Sequence, residues 1–390
     1  MKDFILEGQL FYIDIGGCPI QHGIYPMKSI VPLLLIVLFL AFPACPISAQ
    51  ALNSFHPGQI WPDDHAVAIN AHGGGILFQN GTYYWFGEHK TAGSGGNVAH
   101  VGVHCYSSTD LYNWKDEGIA LAVLKDLSSE IQDGCIIERP KVLYNARTKK
   151  YVMWFHLELR GKGYSAARCG VATSDTATGP YTYVGSLRPD AGAWPIGITD
   201  DEKKGALARD FEKGQMSRDM TLFEDDDGTA YLIAASEENQ VTHISQLSDD
   251  YLTTSGKYVR AFSWRSEAPT IFKYQGKYYY IGSGCSGWAP NAAMSAVADS
   301  MLGKWTGLGN PCHDTPDHNR VTFSSQSTFV LPVAGKKDAF IFMADRWNPS
   351  NAIDGRYVWL PIQFVDGKPT LKWMPEWDLS VFATATAATQ

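Results

Sequence analysis

The stretch Gly81-Thr-Tyr-Tyr-Trp-Phe-Gly87 decides the fold, because it returns four more times along the chain. Its echoes are Lys150-Tyr-Val-Met-Trp-Phe155, Gly228-Thr-Ala-Tyr-Leu-Ile233, Gly276-Lys-Tyr-Tyr-Tyr-Ile281 and Asp338-Ala-Phe-Ile-Phe-Met343. Each leaves a turn and runs into a short β-branched and aromatic stretch, the composition of a buried strand. The copies lie about 50 to 80 residues apart, room for one four-stranded sheet each. Five such sheets set radially give an all-β fold, a five-bladed β-propeller. That architecture gathers equivalent residues from every blade around one central pocket.

A second phrase supports the first. Cys105-Tyr-Ser-Ser-Thr-Asp-Leu-Tyr-Asn-Trp114 is echoed by Val171-Ala-Thr-Ser-Asp-Thr-Ala-Thr-Gly-Pro-Tyr181, Ile244-Ser-Gln-Leu-Ser-Asp-Asp-Tyr251 and Ala296-Val-Ala-Asp-Ser-Met-Leu-Gly-Lys-Trp305. Each reads as a strand, a polar turn whose Ser and Asp side chains bond their own backbone, and an aromatic that opens the next strand. The aromatic is expected to pack between neighbouring sheets. A β-sandwich is the rival fold, and the fixed order of the two phrases argues against it.

The N-terminal region of the 390 residues has a different character. Met27-Lys28 precedes an apolar run from Ile30 to Phe42, and Ile47-Ser48-Ala49 offers small residues for cleavage. That is the pattern of a secretory signal peptide. The expected organisation is residues 1–26 as a mis-assigned upstream start, 27–49 as signal peptide, 50–378 as the propeller and 379–390 as a disordered tail. The mature protein is then secreted or periplasmic, free of the membrane and monomeric. A net charge of −8 with no Lys/Arg cluster excludes nucleic acid as a partner. Aromatic residues make up 13% of the chain, enough to build blades and still stack on sugar faces. Of seven cysteines, five lie beyond the signal region. Cys285 and Cys312 flank one strand-turn unit and are either a disulfide or two thiols.

Three carboxylates stand just before apolar strands at matching places in successive repeats: Glu138, Asp219 and Glu267. In a propeller such positions converge on the axis, and converging like charges raise some of the pKa values. Glycoside hydrolysis uses that arrangement, one carboxyl protonated and another ionised. Local pairing of Glu138 with Arg139 and of Asp219 with Arg218 is the structural alternative. Asp225-Asp-Asp-Gly228 is a hairpin turn with solvated acids. His72-Gly-Gly-Gly75 allows close backbone approach at a pocket floor. No Lys-Ser/Thr pair follows it, so it is not a phosphate loop. Glu88 ends the first tyrosine phrase and either binds hydroxyls or pairs with Lys90. Trp288, Asn291 and Trp347 lie in loops where they either contact sugar or pack between blades. No cofactor is implied, and no histidine or cysteine set has metal-ligand spacing.

The phrases Asn70-Ala-His-Gly-Gly-Gly-Ile-Leu77, Glu138-Arg-Pro-Lys141, Ser217-Arg-Asp-Met220, Glu267-Ala-Pro269, Gly284-Cys-Ser-Gly-Trp-Ala-Pro-Asn291, Ser325-Gln-Ser-Thr328 and Ala344-Asp-Arg-Trp-Asn-Pro349 together resemble glycoside hydrolase family 43. They look most like its exo-β-1,3-galactanase subfamily, over roughly residues 60 to 365. The resemblance implies a five-bladed propeller that inverts the anomeric centre of galactan or an arabinogalactan backbone. It makes Glu267 the general acid, Asp219 the carboxylate that raises and orients it, and Glu138 a sugar contact. Most of the family has an aspartate base in the first blade, where this chain has His72-Gly-Gly-Gly75. The galactanase group shares that loss, and a glutamine matching Gln326 takes the base role there. A neutral amide is a poor base. Gln326 therefore acts as its imidic acid or only holds the water, with Glu138 and Glu88 as rival bases. Some family members hold an ion in the channel, which His72 and His243 would line here, but no metal is required. An α-L-arabinofuranosidase and a non-catalytic galactan-binding propeller are the alternative functions.

Overall fold

A computed structural model describes residues 51–383. The expected signal peptide, the residues before it and residues 384–390 lie outside the described residues. Among those described, five sheets stand radially, each with its strands in chain order from the axis outward, and a two-stranded hairpin of Gln363–Val365 and Lys368–Thr370 follows the last of them. Blade 1 comprises β1 (His72–Gln79), β2 (Thr82–Lys90), β3 (His100–Ser108) and β4 (Lys115–Ala122). Blade 2 comprises β5 (Ile136–Asn145), β6 (Lys150–Glu158), β7 (Arg168–Ser174) and β8 (Thr182–Leu187). Blade 3 comprises β9 (Met220–Glu224), β10 (Ala230–Ser236), β11 (Val241–Leu247) and β12 (Thr254–Phe262). Blade 4 comprises β13 (Ser266–Tyr274), β14 (Lys277–Gly284), β15 (Ala293–Ala298) and β16 (Thr306–Gly309). Blade 5 has three strands, β17 (Gln326–Pro332), β18 (Phe340–Arg346) and β19 (Arg356–Pro361). The inner strands touch in sequence, and β1 meets both β5 and β17, which closes the ring.

Every tyrosine phrase lies on the second strand of its blade, and every Ser/Asp phrase on the third strand and the turn that follows. The second phrase has four copies because blade 5 has no fourth strand of its own. The outer edge of blade 5 is instead covered by the segment that precedes blade 1. Gly58 N donates to Tyr357 O of β19 at 2.7 Å, and Phe55 pairs with Trp377. Unpaired strand edges are thereby kept from solvent where the ring closes.

The hydrophobic core is divided among the blade interfaces. One apolar cluster fills the joint of blades 5 and 1 around Trp85, Trp114 and Trp359, and another joins blades 1 and 2 around Phe86 and Phe155. Trp154 and Leu222 lie between blades 2 and 3, Ile233 and Tyr280 between 3 and 4, Phe272 and Phe342 between 4 and 5. The turn aromatics Trp114, Tyr181, Tyr251 and Trp305 all enter these seams. Each also uses its polar tip on a backbone carbonyl: those of Leu111, Ala177, Gly228 and Met301. Buried aromatic surface thus fixes the angle between blades while the polar tip closes the turn.

Of the two alternatives for Cys285 and Cys312 the structure has free thiols, as at Cys105, Cys135 and Cys169. One expectation is corrected. The patternless tail is ordered for its first turn. Leu379–Phe382 form a 3₁₀ helix capped by Asp378, Leu379 N donates to Tyr112 Oη, and Phe382 packs edge-on against Trp377.

Candidate active site

Register places five side chains at one equivalent position, the axial end of each inner strand. His72 stands opposite Glu88, Glu138 opposite His156, Glu267 opposite Ser283 and Gln326 opposite Asp345. Asp219 completes the set, its carbonyl accepting from Ala235 N just before β9. A one-residue bulge follows in blades 1, 2 and 4, where Gly73, Arg139 and Ala268 take φ of 61, 57 and 53°. Left-handed backbone is uncommon for a residue with a side chain, and bulges of this kind re-aim the neighbouring residues. Each bulge N–H is held by a carboxylate of the preceding blade. Gly73 N donates to Asp345 Oδ2 at 2.6 Å, Arg139 N to Glu88 Oε1 at 3.1 Å and Ala268 N to Asp219 Oδ2 at 3.1 Å. At Gly73 a side chain has no room, since a Cβ would stand 2.3 Å from Glu88 Oε1.

The strand ends surround a pocket of about 260 Å³ whose walls include Glu88, Glu138, Asp219, Glu267, Gln326 and Trp347. Behind it the inner strands of all five blades enclose a narrower apolar cavity lined by Gly75, Val142, Leu222, Ile271 and Val330. Lys141 reaches between these layers, its Nζ donating to Gly73 O at 3.0 Å and Arg139 O at 3.3 Å. The front pocket is therefore polar and shallow, sized for one hexose.

Arg139 is the hub of the pocket, and sequence reasoning missed it. Its Nη2 donates to Asp219 Oδ2 at 2.8 Å and to Gln326 Oε1 at 2.6 Å, and its Nη1 to Ser327 O at 3.0 Å. The guanidinium bridges blades 2, 3 and 5 and does not pair with Glu138 beside it in sequence. The bulge is the reason, because left-handed backbone turns Arg139 away from its neighbour. Arg218 likewise ignores Asp219. Its Nη2 donates to Tyr164 O at 3.0 Å. Both local pairings considered from the sequence are thus replaced by contacts between blades.

Glu267 and Glu138 have opposite electrostatics. Burial pushes the Glu267 carboxyl up to about 7, and the charge of Asp219 adds to the effect. Asn239 Nδ2 donates to Glu267 Oε1 at 2.7 Å. Burial also raises Glu138, but its bonds to His156 outweigh that and bring it down to about 2. His156 Nδ1 is 2.9 Å from Glu138 Oε2, and its Nε2 is 3.0 Å from Glu158 Oε1. Burial lowers His156, yet the two flanking carboxylates raise it to about 9, so it is an imidazolium at neutral pH. Tyr164 Oη donates to the other oxygen of Glu138 at 2.7 Å. Glu138, His156 and Asp219 lie close enough to suggest an ion site. Their atoms are already committed, both imidazole nitrogens to carboxylates and Asp219 to Arg139, so the set does not fit a metal.

Gln326 is fixed in one orientation. Its Oε1 accepts from Arg139 and, at 2.9 Å, from Trp347 Nε1, both groups that only donate. Its Nε2 donates to Ser283 Oγ at 3.0 Å. The imidic acid, which must donate from oxygen, has no acceptor there. Trp347 lies under the Arg139 guanidinium, with Cζ 5.3 Å from its ring centroid, and meets Trp288 edge-on at 6.0 Å. Trp288 remains 37% exposed at the rim, free to lie on a sugar face.

The structure does not bring all the expected residues to the pocket wall. His72 is fully buried, stacked on Tyr357 at 5.5 Å and pressed against Gly355, and it supports the floor from behind. Burial brings its pKa down to about 3, so it is neutral. Asn291 spends its side chain on its own loop, accepting from Gly284 N and donating to Gly284 O and Ser286 Oγ. It shapes the loop that presents Trp288. Glu88 takes the second of its two expected roles, with Oε2 2.6 Å from Lys90 Nζ, both groups buried at the pocket wall. His243 lies on β11, away from the axis, and bonds Glu237 at 2.9 Å, so it does not line the channel. Tyr164 and Asn239, which reach the pocket from blades 2 and 3, carried no signal in the sequence because both stand in irregular loops.

Residues 74–369 match the family model described as glycosyl hydrolases family 43. Among solved structures, a family 43 β-1,3-galactosidase with galactodeoxynojirimycin is 50% identical, covers 83% of this chain and 100% of that one, and superposes with a TM-score of 0.80. An exo-β-1,3-galactanase variant from Phanerochaete chrysosporium with β-1,3-galactotriose is 35% identical over 85% of this chain and 69% of that one, with a TM-score of 0.71. An exo-β-1,3-galactanase from Clostridium thermocellum is 35% identical over 83% and 66%, also at 0.71. No curated protein matches the chain.

Proposed function

Because this chain belongs to family 43 of the glycosyl hydrolases and cleaves O-glycosidic bonds, we propose that it releases galactose from the non-reducing end of β-1,3-galactan, with inversion. The observation that carries the reading is Glu267, a carboxyl raised to about 7, in a one-sugar pocket beside Asp219. The similar structures named for β-1,3-galactosidase and exo-β-1,3-galactanase activity support the choice of sugar and linkage. A pocket at the axial strand ends, backed by Lys141 on the carbonyls of Gly73 and Arg139, suits a chain end better than a chain middle.

Glu267 gives its proton to the departing glycosidic oxygen. Asn239 holds Oε1, and the Cys285 thiol also bonds the carboxyl. Asp219, fixed by Arg139 and by Ala268 N, keeps its charge close enough to hold the proton on Glu267 until the bond breaks. Positive charge developing at the anomeric carbon meets a further carboxylate, Glu138. Glu138 stays ionised at any physiological pH, pinned by His156, and accepts a sugar hydroxyl or the attacking water. Gln326 orients that water with its remaining N–H. Its carbonyl is capped by two donors, so it positions the nucleophile and does not remove the proton, which passes to bulk water in the open pocket as the new C–O bond forms on the oxocarbenium-like carbon. An inverting enzyme spaces its acid and base about 6.5–9.5 Å apart to seat the water.

Met27–Ala49 reads as an export signal, which supports action outside the cytoplasm on a polysaccharide, and the protein is further proposed to act as a monomer. N-terminal sequencing of exported protein tests the first point, with Gln50 as the expected start. Activity is tested by following β-1,3-galactotriose hydrolysis by NMR from the first minutes. The expected products are galactobiose and α-galactose that mutarotates later. Initial β-galactose, or release of arabinose from aryl arabinofuranosides in preference to galactose, would refute the reading.

A further inference from the structure

We propose that a cationic groove opening off the galactose pocket receives a carboxylate carried on a branch of the galactan, as in a uronic-acid side chain. The proposal rests on the galactanase reading and names a further feature of its substrate. The groove has a volume of about 500 Å³ and lies between the β6–β7 loop of blade 2, the insertion that joins blades 2 and 3, and the β10–β11 turn of blade 3. Tyr164 and Arg218 line both spaces, so a group attached to the bound sugar passes directly from one to the other.

The charge of the groove runs against that of the protein. Lys162, Arg188, Arg209 and Arg218 face Asp210 and Glu238, four cations to two anions, in a chain of net charge −8. Both anions are already used. Asp210 bonds Arg188 at 3.3 Å and Arg209 at 2.6 Å, and Glu238 bonds Arg209 at 2.7 Å. Lys162 has no ion-pair partner among the described residues, and neither does Arg218. The Nε of Arg218 is buried without any hydrogen-bond partner, and its Nη groups reach only Tyr164 O and, at 3.4 Å, Asn239 Oδ1. A partly buried guanidinium without a countercharge is costly, and an incoming anion removes that cost. The guanidinium fork matches a planar carboxylate, which a neutral galactan backbone does not supply.

The test compares two branched β-1,3-galacto-oligosaccharides, one bearing a uronate branch and the other the same branch with its carboxyl reduced to the alcohol. At low salt, kcat/KM for the uronate form is expected to be about fivefold higher, the size of a partly exposed charge pair. Raising ionic strength shrinks the ratio. Arg218→Gln is expected to bring the ratio close to one, whereas Lys162→Gln, which stands outside the galactose pocket, is expected to lower it while unbranched β-1,3-galactotriose turns over as in the wild type. Equal rates on both substrates in the wild type, or a preference that survives Arg218→Gln, overturns the proposal. A preference for a sulfate-bearing branch over the uronate would also overturn the carboxylate assignment. Failure to cleave unbranched galactotriose would instead refute the galactanase reading itself, so the two failures are distinguishable.

Discussion

Glu138 in blade 2 and Glu267 in blade 4 occupy the same register position, each followed by a left-handed bulge, yet their carboxyls are driven in opposite directions. Both are raised by burial. What differs is the partner across the sheet. Glu138 faces His156, an imidazolium that holds it ionised, whereas Glu267 faces Ser283 and has Asp219 as its charged neighbour. A fold with fivefold repetition thus makes an acid and a permanent anion from one position by changing the residue opposite. The lesson is that role in this site is set one strand away from the functional carboxyl.

The comparison breaks most sharply at Glu267 itself. Glu267→Gln keeps the shape and removes the proton donor, and a loss in kcat of about 10²–10⁴-fold is expected, the usual scale for general acid catalysis. Binding of galactose, followed by calorimetry, should persist. On the other side, His156→Gln leaves Glu138 and Glu158 buried without their cation. The expected cost is about 3–5 kcal/mol in urea unfolding, typical of a broken buried pair.

Smaller effects sharpen the contrast. Glu138→Gln removes a charged hydrogen-bond acceptor from the sugar site, and kcat/KM should fall by about 10–100-fold, as for one bond to a charged group. His156 also predicts a pH dependence of stability. Its pKa rises on folding from 6.5 to about 9, so its contribution is complete below 6.5 and lost as pH climbs through 9. The urea midpoint of the wild type should drop over that window, and that of His156→Gln should stay flat across it. The smallest effect belongs to Asn239→Ala. Its N–H favours ionised Glu267, so removing it should move the alkaline limb of activity upward by less than about one pH unit.

Much of this architecture was legible from repetition. Tyrosine phrases marked the second strands because buried strand composition depends only on being between two neighbours in a sheet. The repeat spacing implies four strands in every blade, and the three-stranded blade 5, which has no Ser/Asp phrase of its own, emerged only in the structure. Glu138, Asp219 and Glu267 were singled out because equivalent positions in a ring must meet, whereas Gln326 came from the family resemblance alone. Partners were not legible, since they are set by bulges and by loops from other blades. Arg139 looked like a local partner of Glu138 until its backbone turned it toward Asp219 and Gln326. His72 shares the register of the carboxylates but is tucked beneath Tyr357 and Gly355, residues almost 300 positions away. Asn291 was misread because a loop amide looks the same whether it holds a sugar or its own backbone.

The central claim is that burial, with the charge of Asp219 added to it, keeps Glu267 protonated near neutral pH. The pH dependence of kcat/KM on β-1,3-galactotriose, measured for the wild type and for Asp219→Asn, tests it most directly. The account predicts a wild-type rate that falls by half near pH 7 and a limb displaced to lower pH in the variant. A wild-type profile flat to pH 9, or a limb that stays in place when Asp219 loses its charge, would contradict it.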